Sequence, residues 1–156
     1  MKKIWIITFL LVIFISTAYT IELNLISSGY TLIYSEVGQS AKHNVFKLHN
    51  KTIPIKDALY QEYLKDNKKI LIWISESFGK NEAENYQKIM DEKMKNSNVF
   101  SNKKQIQIGG INISKVNGMG MLNYYYNFNS YNIWISLHDE TIVEYLVNEI
   151  NSQLWE

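Results

Sequence analysis

The stretch QIQIGGINIS, Gln105 to Ser114, decides the fold. Two alternating runs flank Gly109-Gly110, a pair suited to the positive φ angles of a two-residue hairpin turn. Folded about that pair, Ile108 stands opposite Ile111 and Ile106 opposite Ile113, so four isoleucines share one face. Gln105, Gln107, Asn112 and Ser114 take the other face, which is expected to be wet. Downstream, a second hairpin turns at Asn129-Ser130 and pairs Phe128 with Tyr131, Tyr126 with Ile133 and Tyr124 with Ile135. Its opposite face carries Asn123, Asn127, Asn132 and Ser136, with Tyr125 directly opposite Trp134. Gly118-Met119-Gly120-Met121 joins the hairpins as a flexible apolar loop. A closing helix is expected from about Glu140 to Leu154, with Ile142, Val143, Leu146, Val147 and Ile150 inward. Asp139 or Thr141 serves as its cap.

Upstream, Ile70, Ile72 and Ile74 alternate with Leu71, Trp73 and Ser75, a strand apolar on both faces and therefore central. Glu82 to Asn96 then places Ala83, Tyr86, Met90 and Met94 at helical spacing, with Ile89 beside them. Glu84, Lys88, Glu92 and Lys95 form the solvated stripe of that helix, and Asn81 reads as its N-cap. Nearer the amino terminus the pattern weakens. Ile21 to Ile26 and Tyr30 to Tyr34 read as strands about a Ser27-Ser28-Gly29 turn, and Val45 to Leu48 and Thr52 to Ile55 as weaker ones. Pro54 places its segment at a sheet edge or in a loop. Asp57 to Lys65 fits either a short helix or a strand turning through Asp66-Asn67. The expected architecture is one α+β domain, an antiparallel sheet flanked by two principal helices.

The chain has 156 residues, a net charge of +1 and no cysteine, and lysine supplies every basic side chain other than histidine. Near-neutrality excludes an electrostatic nucleic-acid binder, which needs a basic face. Without cysteine there are no disulfides, thiolate metal sites or cysteine nucleophiles. Missing arginine removes the planar fork that grips carboxylate or phosphate bidentately. Lys2 and Lys3, the apolar run Ile4 to Ile15, and the small residues Ser16, Thr17 and Ala18 read as a secretory signal peptide over residues 1–18. Cleavage is expected before Tyr19, with Ile21 the second choice. The apolar run is too short to span a bilayer. Export to the periplasm or the exterior then leaves residues 19–156 as a single domain, touching the membrane only through its signal peptide. Losing Lys2 and Lys3 changes its net charge from +1 to −1.

The segments KILIWISESF (Lys69 to Phe78), AENYQKIMDEKM (Ala83 to Met94), IQIGGINISKVNG (Ile106 to Gly118), NYYYNF and YNIWISL follow one another before the final helix. In that order they resemble the PsbP/DcrB-like group of small exported proteins, over Gly29 to Leu154. Gly29-Tyr30 stands where members of that group carry Gly-Trp. The resemblance implies an α/β/α sandwich and an accessory or binding role.

Candidate chemistry is sparse. His43 and His49, six residues apart, do not fit one shared metal. His138-Asp139-Glu140 stands where a strand enters the last helix, and reads as a solvated turn with acids at a helix amino terminus. A hydrolase using His138 is the sharper alternative. HExxH, GxSxG, P-loop and calcium-loop patterns are all missing, so neither an enzyme nor a cofactor is expected. Trp73, Tyr125 and Trp134 lie on the side opposite the isoleucine and tyrosine face, either as core beneath helices or as a contact surface. With Met119 and Met121 they form the candidate partner-binding set. The expected function is a small exported binding protein for a protein partner, as an immunity or inhibitor protein would be. The alternative is a carrier of a lipid or other apolar ligand held between sheet and helices.

Overall fold

A computed structural model of the chain describes residues 23–25, 29–49 and 51–154. The signal peptide expected at 1–18, and most of the strand expected at 21–26, lie outside the described residues; 23–25 are not in a strand. Elements follow as β1 (Thr31–Val37), α1 (Gly38–His49), β2 (Asp57–Lys65), β3 (Lys68–Glu76), α2 (Lys80–Lys95), β4 (Phe100–Ile108), β5 (Ile111–Gly118), β6 (Met121–Phe128) and β7 (Tyr131–Leu137). A 3₁₀ turn (Glu140–Ile142) leads into α3 (Val143–Gln153). The strands form one antiparallel sheet in the order β1-β2-β3-β7-β6-β5-β4. The fold is α+β.

Two-residue turns write most of this topology. Asp66-Asn67, Gly109-Gly110 and Met119-Gly120 each place both residues at positive φ, the geometry that matches hairpin twist. The four strands β4 to β7 therefore run as one continuous meander. Both expected registers hold: Ile108 faces Ile111 and Ile106 faces Ile113, while Tyr126 faces Ile133 and Tyr124 faces Ile135. The Ile70 strand is interior, paired with β2 on one side and β7 on the other.

One face of the sheet packs on α3. Ile70, Ile72, Ile74, Tyr124, Tyr126, Ile133 and Ile135 meet Val143, Leu146, Val147 and Ile150 there. The Asp139 carboxylate caps the last helical segment, accepting from the Thr141 backbone N–H at 3.1 Å and its hydroxyl at 2.6 Å. The opposite, outer face is covered by α1 over β2 and by α2 farther along. The route of α2 follows from connectivity: it must carry the chain from interior β3 to the far edge strand β4, and so crosses β7 and β6.

Several expectations are corrected. Among the described residues there are three α-helices, not the two principal ones expected. Val45 to Leu48, expected as a strand, lies in α1, because Ala41 and Val45 sit one turn apart and bury together against Ala58 and Tyr60. Gly38, at φ 65, lets the chain pass from strand to helix within one residue. Thr52 to Ile55 forms no strand, although Ile53 and Ile55 are buried. Asn81 does not cap α2; the helix starts behind Gly79, and the Glu82 carboxylate accepts the Phe78 N–H at 2.9 Å. Gly118 to Met121 is not a loose loop, since Gly118 and Met121 pair within strands. Ser114, expected to be wet, is buried beneath α2.

Candidate functional site

Register aligns six outer-face residues in one row across the sheet: Tyr60, Trp73, Trp134, Tyr125, Ser114 and Gln105. Two pairs of rings touch along it. Tyr60 and Trp73 lie 4.9 Å apart between centroids, and Tyr125 stacks on Trp134 at 5.2 Å with planes 9° apart. Phe100, from β4, meets the Trp134 ring edge-on at 5.4 Å. Gly118 makes room for it, because a β-carbon there would lie 2.3 Å from the Phe100 ring.

Polar ties hold α2 above this row. The Asp91 carboxylate accepts from the Tyr125 hydroxyl at 2.9 Å, from Ser114 at 3.1 Å and from the Lys103 ammonium. Burial works against that charge, yet the three donors outweigh it and hold the Asp91 carboxyl below the usual range. One turn from the start of α2, the Asn132 amide donates to the Ala83 carbonyl at 2.8 Å. In the middle of the row, the Trp134 indole N–H donates to Ser136 at 2.9 Å and to Asn123 at 3.2 Å. Ser114, Asn123, Asn132 and Ser136 are thus buried and internally satisfied, while Gln105, Gln107 and Asn112 are exposed, as expected.

Between α1 and α2 the cover is incomplete. A cleft of about 160 Å³ opens there, floored by Trp73, Ser75, Asn132 and Trp134. Val45, Leu48 and His49 of α1, with Ile53 beyond it, form one wall; Tyr86, Ile89, Met90 and Met94 of α2 form the other. Phe100 closes the end, and Lys51 and Lys93 stand at the rim. The Tyr86 hydroxyl ties the walls together by donating to the Pro54 carbonyl at 2.9 Å. Burial first, then Lys93 and Lys51, pushes the His49 imidazole below its ordinary value.

Of the residues singled out from sequence, Trp73 and Trp134 meet on the cleft floor, while Tyr125 is fully buried and supports Trp134 from behind. Met119 sits apart at the β5–β6 turn, 76% exposed. Met121 lines a separate shallow hollow with Val99, Leu122, Leu137 and His138. The His138 Nδ1 accepts the Lys69 backbone N–H at 3.0 Å, a structural use of that nitrogen. A third hollow, between α1 and the outer ends of β1 and β2, is polar: Glu36 accepts from Tyr34 and Asn44, and Glu62 from Tyr60 at 2.5 Å. Among the described residues, no three His, Asp or Glu side chains converge as metal ligands, and no helix is long and apolar enough to cross a membrane.

Sequence reading missed the α1 side of the cleft altogether. The usable signal was Ala41, Val45 and Leu48 at helical spacing, obscured by the two lysines, the histidine and the asparagine between them. No family model, curated protein or solved structure matches the chain.

Proposed function

We propose that this protein is an exported, non-catalytic binding domain whose cleft between α1 and α2 takes a small apolar ligand. The observation that carries the reading is the cleft itself, walled by aliphatic, thioether and aromatic side chains on a floor of two tryptophans. Its volume of about 160 Å³ is comparable with an apolar cavity of about 150 Å³ known to admit benzene. Helices and strands, rather than loops, carry most of the lining, so the site is held in shape before a ligand arrives. Thioethers on one wall suit an occupant of variable outline. His138 is committed to the β3 backbone at the far end of β7, which favours binding over hydrolysis as the role of the domain.

The test is fluorescence titration with N-phenylnaphthylamine, a neutral apolar probe. Saturable one-site binding is expected, accompanied by a change in tryptophan emission and abolished by Met94→Trp, which fills the cleft from its wall. A probe that binds the wild type and Met94→Trp alike, or neither, overturns the reading.

A second reading keeps a protein partner. On the edge strand β1, Leu32, Ile33 and Val37 are each 44–47% exposed, apolar side chains on a strand with one unpaired edge among the described residues.

A further inference from the structure

The cleft is apolar inside, but its charged lining is of one sign. Among the described residues, His49, Lys51 and Lys93 are the only ionisable lining groups besides the Tyr86 phenol, and no carboxylate joins them. A basic residue in the last turn of a helix is ordinary, since it complements the carbonyl end of the dipole. That accounts for His49 and Lys93 singly, yet not for the missing counter-charge. The acids of α2 nearest this end are engaged elsewhere: Asp91 with Lys103, and Glu92 with Lys95 at 2.6 Å. Lys51 lies two residues beyond α1, its backbone N–H bonded to the Phe46 carbonyl at 3.3 Å while its side chain lines the cleft. Among the described residues, neither Lys51 nor Lys93 has a carboxylate within 4.0 Å, whereas seven other lysines do. Burial is the main reason that the proton affinity of His49 is lowered, and Lys93 and Lys51 add to it in the same direction.

We infer that the ligand is an apolar monocarboxylic acid, its ring or short chain resting on Trp73 and Trp134 and its carboxylate held at the rim between Lys51 and Lys93. Resting on the cleft as a ligand site, this adds the chemical class of the occupant. The apolar body gains from leaving water, roughly in proportion to the area covered. The head stays at the mouth, so the two ammonium groups neutralise it without the heavy cost of burying an ion. An amine in the same place would meet two like charges.

Calorimetric titration of the full chain with phenylpropionate, phenylpropanol and phenylpropylamine separates the two layers of the argument. The acid is expected to bind about tenfold more tightly than the alcohol, the scale of two exposed charge contacts, with the amine weakest. Lys51→Gln and Lys93→Gln should each remove about threefold of that preference while leaving the alcohol unchanged, and molar salt should erase it. If acid and alcohol bind equally, or the amine binds best, the inference falls and the apolar cleft stands. An acid preference that survives both substitutions also overturns it. If none of the three binds and N-phenylnaphthylamine does not either, both the inference and the ligand-binding reading fail.

Discussion

His49 is a single imidazole at the end of α1, and burial together with two lysines decides how it titrates. Lys51 approaches from the segment after α1 and Lys93 from α2, while the Tyr86 phenol on the same wall is tied to Pro54 and Glu82. Burial, then the two lysines, lowers its pKa from the ordinary 6.5. The unfolded chain therefore takes up the proton first as pH falls. Stability is expected to decline with pH in the window just below about 6.5, and to be insensitive to His49 above it. Urea midpoints at pH 7.5 and 5.5 measure the slope, and His49→Gln should flatten it. Equal slopes for both proteins would place the imidazole in water. None of this could be read from the sequence, because His49 meets Lys93 only after two separate helices dock on one sheet.

At the scale of elements, α2 is where reading and structure diverge most usefully. The spacing of Ala83, Tyr86, Met90 and Met94 marks the helix and its inward face correctly. It does not reveal that Tyr86, Met90 and Met94 remain half-buried, since a cavity wall and a core demand the same apolar residues. The tie at Asp91 was equally hidden: a carboxylate beside the solvated stripe looks like surface until Tyr125 and Ser114 are found beneath it. Asp91→Asn keeps the shape but gives up the charge that Lys103 and Tyr125 answer, and should cost about 1–3 kcal/mol. A urea midpoint within error of wild type would show the tie to be dispensable. The Asp91 contribution is present above the ordinary carboxylate range and is lost as pH falls from there through its depressed folded-state pKa. Helix α1 escaped notice for another reason. Its twelve residues bury only Ala41 and Val45, so its stability comes from docking rather than from its own pattern.

For the molecule as a whole, the sheet should open from its edges. Both edge strands carry an irregularity, β1 between Leu32 and Tyr34 and β4 between Ser101 and Lys104, and each has only one neighbour among the described residues. Strands β3 and β7 are paired on both sides, packed on α3 across one face and only partly covered on the other, where the cleft opens. Amide hydrogen exchange is expected to be slowest in β3 and β7 and fastest, among the strands, in β1. Slow exchange throughout β1 would mean that another segment or molecule covers that edge.

By itself the sequence determined the turns, the alternation and hence the faces: Gly109-Gly110 and Asn129-Ser130 fix their hairpins, and a register of period two then sends each isoleucine or tyrosine inward. These are local matters, settled by φ and by which side chains lie two residues apart. Only the tertiary structure decided that β3 should pair with β7, setting Trp73 beside Trp134 across 60 residues of chain. It also decided that α1 and α2 should leave a gap above them. The reason is physical: a strand apolar on both faces must be flanked and covered, but its pattern does not name its neighbours. Those are chosen by the joint burial of the whole sheet.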